Sequence, residues 1–266
     1  MQTTAVRRVV LTVAVAALVA TAGCSGLGGS DNGDAGYGVS GGDLDGGNLV
    51  SATDDAIGEA GSYTIEQQST ATGTQQGTEF TANSTTTTRV DLSAGQGLRE
   101  SQRSQTTGGV KQAVSSTVYT DGETSYRQRE SNGNVTYDTQ TGSASGFGGI
   151  QPVNVTAFGQ DYSQIVDAIA WEQDGTESVD GTTGTVYAAT GVANESAFGA
   201  NEGATVENVD ASLLVDSDGV IRELSIAYTI ESDGASTTVD VTVAITEIGS
   251  TSVSEPGWLS QAQAAA

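Results

Sequence analysis

The chain is 266 residues long and contains no histidine, one cysteine, one lysine and one methionine. Without histidine there is no Ser–His or Cys–His couple, no imidazole general base and no histidine-ligated metal. Bulky apolar residues are also scarce. Leu, Ile, Val and Phe number 52, and eight of them fall in the first 23 residues. Basic residues number 9 against 33 acidic, for a formal charge of −24. Low bulky-apolar content with high net charge is the profile of a disordered chain. Adaptation to strong brine is the rival reading: arginine replaces lysine eight to one, and the acids are dispersed rather than blocked. At molar salt the Debye length is about 3 Å, so such a surface hardly repels itself. The regular patterning below favours a folded, salt-adapted protein. The acidic balance argues against nucleic acid and anionic membrane surfaces as partners.

Arg7 and Arg8 precede an apolar stretch over residues 9–22, then small residues and Cys24. A basic end, a short apolar segment and a small-residue exit form an export signal over residues 1–23. The apolar part falls short of the ~20 residues a bilayer span needs. Thr21-Ala22-Gly23-Cys24 resembles a lipobox, with Thr21 where leucine is usual, and makes Cys24 the expected lipid attachment point. The expected location is the outer face of the cell membrane. Arg7-Arg8-Val9-Val10-Leu11 also resembles a twin-arginine signal, so the export route stays open between that and general secretion. Residues 24–47 then form a glycine-rich tether with a reach of roughly 26 Å.

From residue 48 the texture changes to a single folded domain, 48–266. Leu49, Thr53, Ala56, Ile57 and Ala60 share a helical face, with Asn48 as the expected cap and Gly61 as the stop. Strand signals then dominate. Tyr63 and Ile65 alternate with Thr64 and Glu66, and the threonine-rich 80–92 stretch favours a strand over an O-glycosylated stalk. Asp121-Gly122 and Asn132-Gly133 between alternating runs predict hairpins. Tyr162, Ile165, Val166 and Ile169 predict a second helix, capped by Asp161 and closed by Gly175, with Trp171 near its end. Asp180-Gly181 opens another strand. Leu224, Ile226, Tyr228 and Ile230 share one parity, interrupted by Arg222 at a sheet edge or pocket rim, and Val239, Val241, Val243 and Ile245 share another. Two hairpins with one apolar face each make a half-buried sheet. The expected fold is mainly β (α+β): eight to ten strands in a curved antiparallel sheet, an incomplete barrel, with two or three short helices on its concave side.

Val118-Tyr119-Thr120-Asp121-Gly122 with Tyr126-Arg127, the run 213–221 with Leu224-Ser225, and Glu255-Pro256-Gly257-Trp258-Leu259 carry a resemblance. On these residues the chain resembles the lipoprotein-carrier superfamily of LolA and the mycobacterial LppX-type lipoproteins, and within it is similar to haloarchaeal lipoproteins. The resemblance implies an apolar pocket holding a lipid or similar molecule, without catalysis. Leu224, Ile226, Tyr228, Val239, Val241 and Val243 are its expected lining. With four Phe, two Trp and one Met in the chain, the sequence also allows a small or collapsed cavity. The alternative is then a structural or interaction module of the cell envelope with a filled core.

The remaining chemistry is thin. Asp216-Ser217-Asp218-Gly219 opens like a calcium loop but lacks the later acids, and Ala227 stands where the closing Glu belongs. No metal or other cofactor is expected. Asn83, Asn134, Asn154 and Asn194 each head an Asn-X-Ser/Thr triplet and are the candidate glycosylation sites. Arg89, Arg99, Arg103, Lys111, Arg127 and Arg129 cluster in the first half of the sheet. They read either as a patch for an anionic head group or, preferably, as a solvated face offsetting nearby acids.

Overall fold

In the computed structural model, residues 44–75, 77–122, 124–141, 156–157, 160–199, 203–232 and 235–265 are described. Cys24, Asn154, the tether before residue 44 and the turn at 233–234 lie outside them. The chain runs from helix α1 (Gly46–Ala60) through β1 (Ser62–Gln75), β2 (Thr78–Asp91), β3 (Gln96–Thr107), β4 (Val110–Asp121), β5 (Thr124–Ser131) and β6 (Asn134–Thr141). A two-stranded ladder of β7 (Thr156–Ala157) and β8 (Gln160–Asp161) precedes helix α2 (Tyr162–Asp167). Strands β9 (Ile169–Val179) and β10 (Thr182–Val192) follow, then a 3-10 turn (Glu195–Phe198). The chain closes with β11 (Thr205–Asp216), β12 (Ile221–Ser232), β13 (Ala235–Thr246) and helix α3 (Leu259–Ala264).

Eleven strands form one antiparallel sheet in the order β6-β5-β4-β3-β2-β1-β13-β12-β11-β10-β9. It is curved and not closed into a barrel, so β6 and β9 are its edges. Apart from the β1–β13 pair, neighbours in the sheet are neighbours in sequence, joined by short turns except between β10 and β11, where the 3-10 turn intervenes. Asn132 and Gly133 both have positive φ, 53° and 78°. That is the geometry of a type I′ turn, whose twist matches the strands it joins.

Because side chains alternate across a strand, the pairing register assigns every residue to a face. Tyr63, Ile65, Leu213, Leu224, Ile226, Val241, Val243 and Ile245 share the inner face. Helices α1 and α2 and the 3-10 turn cover it. Leu49, Ile165, Val166 and Phe198 join Leu213, Leu224, Ile226, Val241 and Val243 in one buried cluster. A smaller cluster joins Ile57 to Tyr63, Val90 and Ile245. The third helix lies on the opposite, outer face. There Thr139 donates to the Ala262 carbonyl at 3.1 Å and Tyr137 meets Trp258 at 6.3 Å. Among the described residues, no helix is long and apolar enough to cross a membrane.

The core occupies one end of the long strands. In β1 the first three residues are buried and the rest alternate between partial and full exposure. In β13 burial is confined to Val241, Val243 and Ile245, near the end of the strand. The scarce apolar residues are concentrated there, and the far hairpins are built of threonine, serine and glutamine.

Several expectations shift. Helix α1 starts at Gly46, not after Asn48. Asp45 is the cap, its carboxylate accepting from the Asn48 N–H at 2.9 Å. Gly61, in the left-handed region at φ 75°, ends it as expected. The second helix stops at Asp167, because Ile169 and Trp171 are recruited by pairing to β10. Gly175 lies inside β9 rather than closing a helix. Arg222 marks neither an edge nor a rim. β12 is an interior strand, and Arg222 is the extra residue where Leu214 opposes Glu223 and Val215 opposes Ile221, a bulge. Its Nε donates to Asp216 Oδ2 at 2.8 Å. Asp216 Oδ1 accepts from the Asp218 and Val220 N–H groups at 3.0 Å each. The calcium-like run is thus a hairpin whose first carboxylate is already committed.

Glu223, on the outer face of β12, has its carboxyl raised above the ordinary value by burial first and by the Glu177 charge second. A raised folded-state pKa favours folding below the unfolded value, and that advantage is lost as pH rises through the folded value. Glu223→Gln should therefore raise the urea midpoint at pH 7 and leave it unchanged below about pH 4. An equal gain at both pH values would show that ionisation is not the cause.

Candidate functional site

Helix α1 does not seat flush on the sheet. Between its inward side and the start of β12 and end of β13 runs a seam lined by Val50, Thr53, Asp54, Ile221, Leu224, Val243 and Ile245. Five of the seven present only hydrocarbon. The cavity is about 20 Å³, room for about one water and far below a ligand pocket of about 300 Å³ or more.

The helix is fixed by a few polar latches around two deeply buried anchors, Leu49 and Ile57, each 1% exposed. Thr53 is the central latch. Its hydroxyl donates to the Leu49 carbonyl at 2.8 Å and accepts from the Ile221 N–H at 2.9 Å. The bulge at Arg222 interrupts the β11–β12 ladder here, and the helix supplies the acceptor for Ile221. At the helix start, the Gly46 N–H donates to Asp167 Oδ1 at 2.8 Å. A side chain at Gly46 would collide with the Ser163 carbonyl oxygen, so only glycine lets α1 approach α2 this closely.

The six residues expected to line a pocket do share one surface. Leu224 faces Val243, Ile226 faces Val241, and Tyr228 faces Val239 across the β12–β13 ladder. Leu224 and Val243 border the seam. Ile226 and Val241 are packed in the core, and Tyr228 and Val239 are partly buried against it. Tyr228 meets Phe198 edge-on at 5.1 Å, and burial raises its hydroxyl pKa. Val50, Thr53, Asp54, Ile221 and Ile245 were not foreseen as lining residues. The helical spacing of Val50, Thr53 and Asp54 was the available signal, but a polar Thr-Asp pair does not read as a pocket wall. Asn83, Asn134 and Asn194 are exposed.

The basic cluster divides between faces. Arg99, Arg103, Arg127 and Arg129 lie on the inner face of β3 and β5, whereas Arg89 and Lys111 lie on the outer one. Arg89 pairs there with Glu100 at 2.8 Å. Arg127 pairs with Asp138 at 2.7 Å. Arg99 lies against Thr88 and near Tyr63. Burial lowers its pKa, and Tyr63 opposes that shift. Among the described residues, no group of three or more acidic or Cys residues could hold a metal ion.

The geometry defines an open, curved antiparallel sheet with an amphipathic helix closing an apolar seam on its inner face. The chain belongs to a family of unknown function, DUF7537, whose match spans residues 9–262. No curated protein matches it. Among solved structures it is similar to LprF from Mycobacterium bovis, at 10% identity over 80% of this chain and 96% of that one, with a TM-score of 0.34. It is similar to the lipoprotein LppX from Mycobacterium tuberculosis at 13% identity, 78% and 98% coverage and a TM-score of 0.35. A DUF1329 family protein from Desulfovibrio piger gives 12% identity, 81% and 98% coverage and a TM-score of 0.23. At such scores nothing about ligands transfers from them.

Thr53→Val keeps the side-chain volume but leaves the buried Ile221 N–H without its acceptor. Urea unfolding should show a loss of about 2 kcal/mol. A loss below about 0.5 kcal/mol would mean that water or a backbone shift replaces the latch.

Proposed function

We propose that this protein is an exported lipoprotein, anchored through Cys24 to the outer face of the cell membrane, whose domain binds an apolar molecule beneath helix α1 without catalysis. The observation that carries the reading is the seam. Val50, Ile221, Leu224, Val243 and Ile245 form hydrocarbon walls under one helix, and that helix is latched to β12 through the Thr53 hydroxyl. Lifting α1 would expose the paired residues of β12 and β13 as one continuous apolar strip. The tether ahead of α1 gives the domain reach from the membrane, and a chain without histidine suits binding better than turnover.

The cavity of about 20 Å³ favours a second reading, an anchored interaction module whose core is simply full. The two readings part on one experiment. N-phenyl-1-naphthylamine, an uncharged fluorescent probe, is titrated into the mature protein in high salt. The first reading expects saturable uptake that Val50→Trp abolishes by filling the seam and Thr53→Val enhances by loosening the helix. No uptake by either the parent protein or Thr53→Val, with no lipid extractable from the purified protein, would leave only the interaction module. Mass spectrometry of the mature N-terminus tests the anchor separately: a diacylglyceryl-modified Cys24 is expected, and an unmodified or absent Cys24 would contradict it.

A further inference from the structure

The inner face of β1–β6 carries four arginines, Arg99, Arg103, Arg127 and Arg129, and one acid, Asp138. The outer face of the same strands carries Glu66, Glu79, Asp91, Glu100, Asp121 and Glu130 against Arg89 and Lys111. One side of this half-sheet is therefore positive by three and the other negative by four, in a protein whose formal charge is −24. Arg127 pairs with Asp138 on this face, but the six acids of the half-sheet that Arg99, Arg103 and Arg129 would offset lie on the opposite side.

The register also connects them to the seam. One inner-face row reads Ile245, Ile65, Thr88, Arg99, Val118, Arg127, Asp138 from β13 to β6. The next reads Val243, Gln67, Thr86, Ser101, Ser116, Arg129, Thr136. Each row starts aliphatic at the wall of the seam and reaches arginine across a polar stretch, Thr88 before Arg99 in the first and Gln67 to Ser116 before Arg129 in the second; Val118 separates Arg99 from Arg127, and Asp138 and Thr136 end the rows. At about 4.8 Å per strand, Ile245 and Arg99 stand about 14 Å apart, and Arg99 and Arg127 about 10 Å. Arg127 is held upright by Asp138 and Arg99 is braced by Thr88, whereas Arg103 and Arg129 are exposed.

We propose that this face is a head-group site, and that the ligand is an anionic amphiphile, an alkyl phosphate or sulfate. Its oxyanion lies on Arg99, Arg127 and Arg129, and its tail follows the two rows toward the α1 seam. The assignment rests on the apolar-binding reading above and adds the charge of the ligand and the direction in which it lies. Guanidinium forks suit such an oxyanion because they donate two parallel, charge-assisted hydrogen bonds. The positive face also gives the acidic protein a local field that attracts the anion rather than repelling it.

The test is calorimetric titration of the mature protein with dodecyl phosphate below its micellar concentration, with uncharged dodecyl maltoside, and with inorganic phosphate. Dodecyl phosphate should bind tightest. Arg129→Gln and Arg99→Gln should each weaken it about tenfold, the loss of a charge-assisted hydrogen bond, and leave dodecyl maltoside unchanged. Arg89→Gln, on the outer face, should change neither. Because Arg129 and Arg103 are exposed, the Arg103→Gln/Arg129→Gln double variant tests the site even if Arg99→Gln fails to fold. Unchanged dodecyl phosphate affinity in that double variant, an equal loss in Arg89→Gln, or inorganic phosphate binding as tightly as dodecyl phosphate would overturn the proposal. Maltoside binding with arginine-independent phosphate binding would sink the head-group site and spare the seam. Arginine-dependent dodecyl phosphate binding with no maltoside binding would support the head-group site and sink the seam.

Discussion

Pairing of aliphatic side chains across β11, β12, β13 and β1, sealed by the buried face of α1, is what the rest of the molecule depends on. A chain with so few bulky apolar residues has to place them together, because hydrophobic stabilisation scales with the apolar area removed from water. The sheet does so by confining them to one end and one face. Leu213, Leu224 and Val243 are stacked strand to strand beneath Leu49. The outer ends of the long hairpins contribute hydrogen-bonded ladders but little buried apolar surface. They can therefore be threonine-rich and exposed without weakening the core.

That division gives the sheet two chemically different halves. The β9–β13 half, with β1, presents hydrocarbon inward and supports α1, α2 and the 3-10 turn. The β2–β6 half presents hydroxyls and arginines inward, and its tyrosines outward. Tyr119 and Tyr126 stack there at 6.5 Å, near helix α3. Helix α1 stands at the border: its Ile57 reaches Val90 of β2, and its Val50 and Thr53 border β12 and β13. The bulge at Arg222 leaves the Ile221 N–H to be satisfied by the helix rather than by a neighbouring strand.

The sequence was most legible where one face was apolar and the turn chemistry strict. The β11–β12 and β12–β13 hairpins, the Asn132-Gly133 turn and the inner-face parity of Leu224 to Ile230 could all be read directly. Strand β3 could not. Its residues Arg99, Glu100, Gln102 and Arg103 are polar on both faces, so period-two alternation gives no signal. Gly108-Gly109, both at positive φ, was the trace it left. Most of β1 after Glu66 was hidden for the same reason. The second helix was overextended because Ile169 and Trp171 fit a helical period as well as a strand, and only pairing with β10 decides. Of the candidate site, the β12–β13 strip was visible from parity. The seam itself depends on how α1 packs, and the arginine face on registers across five strands, neither of which composition or local spacing encodes.

Access to the seam requires that α1 leave the sheet while the sheet stays folded. Amide hydrogen exchange on the mature protein tests this most directly. The α1 amides from Thr53 to Ala60 should exchange through a partial opening, well before those of Leu224, Ile226 and Val243, and the Ile221 amide should open with the helix rather than with the strands. Exchange of α1, β12 and β13 together, only through global unfolding, would contradict it and leave a sealed scaffold with no way in.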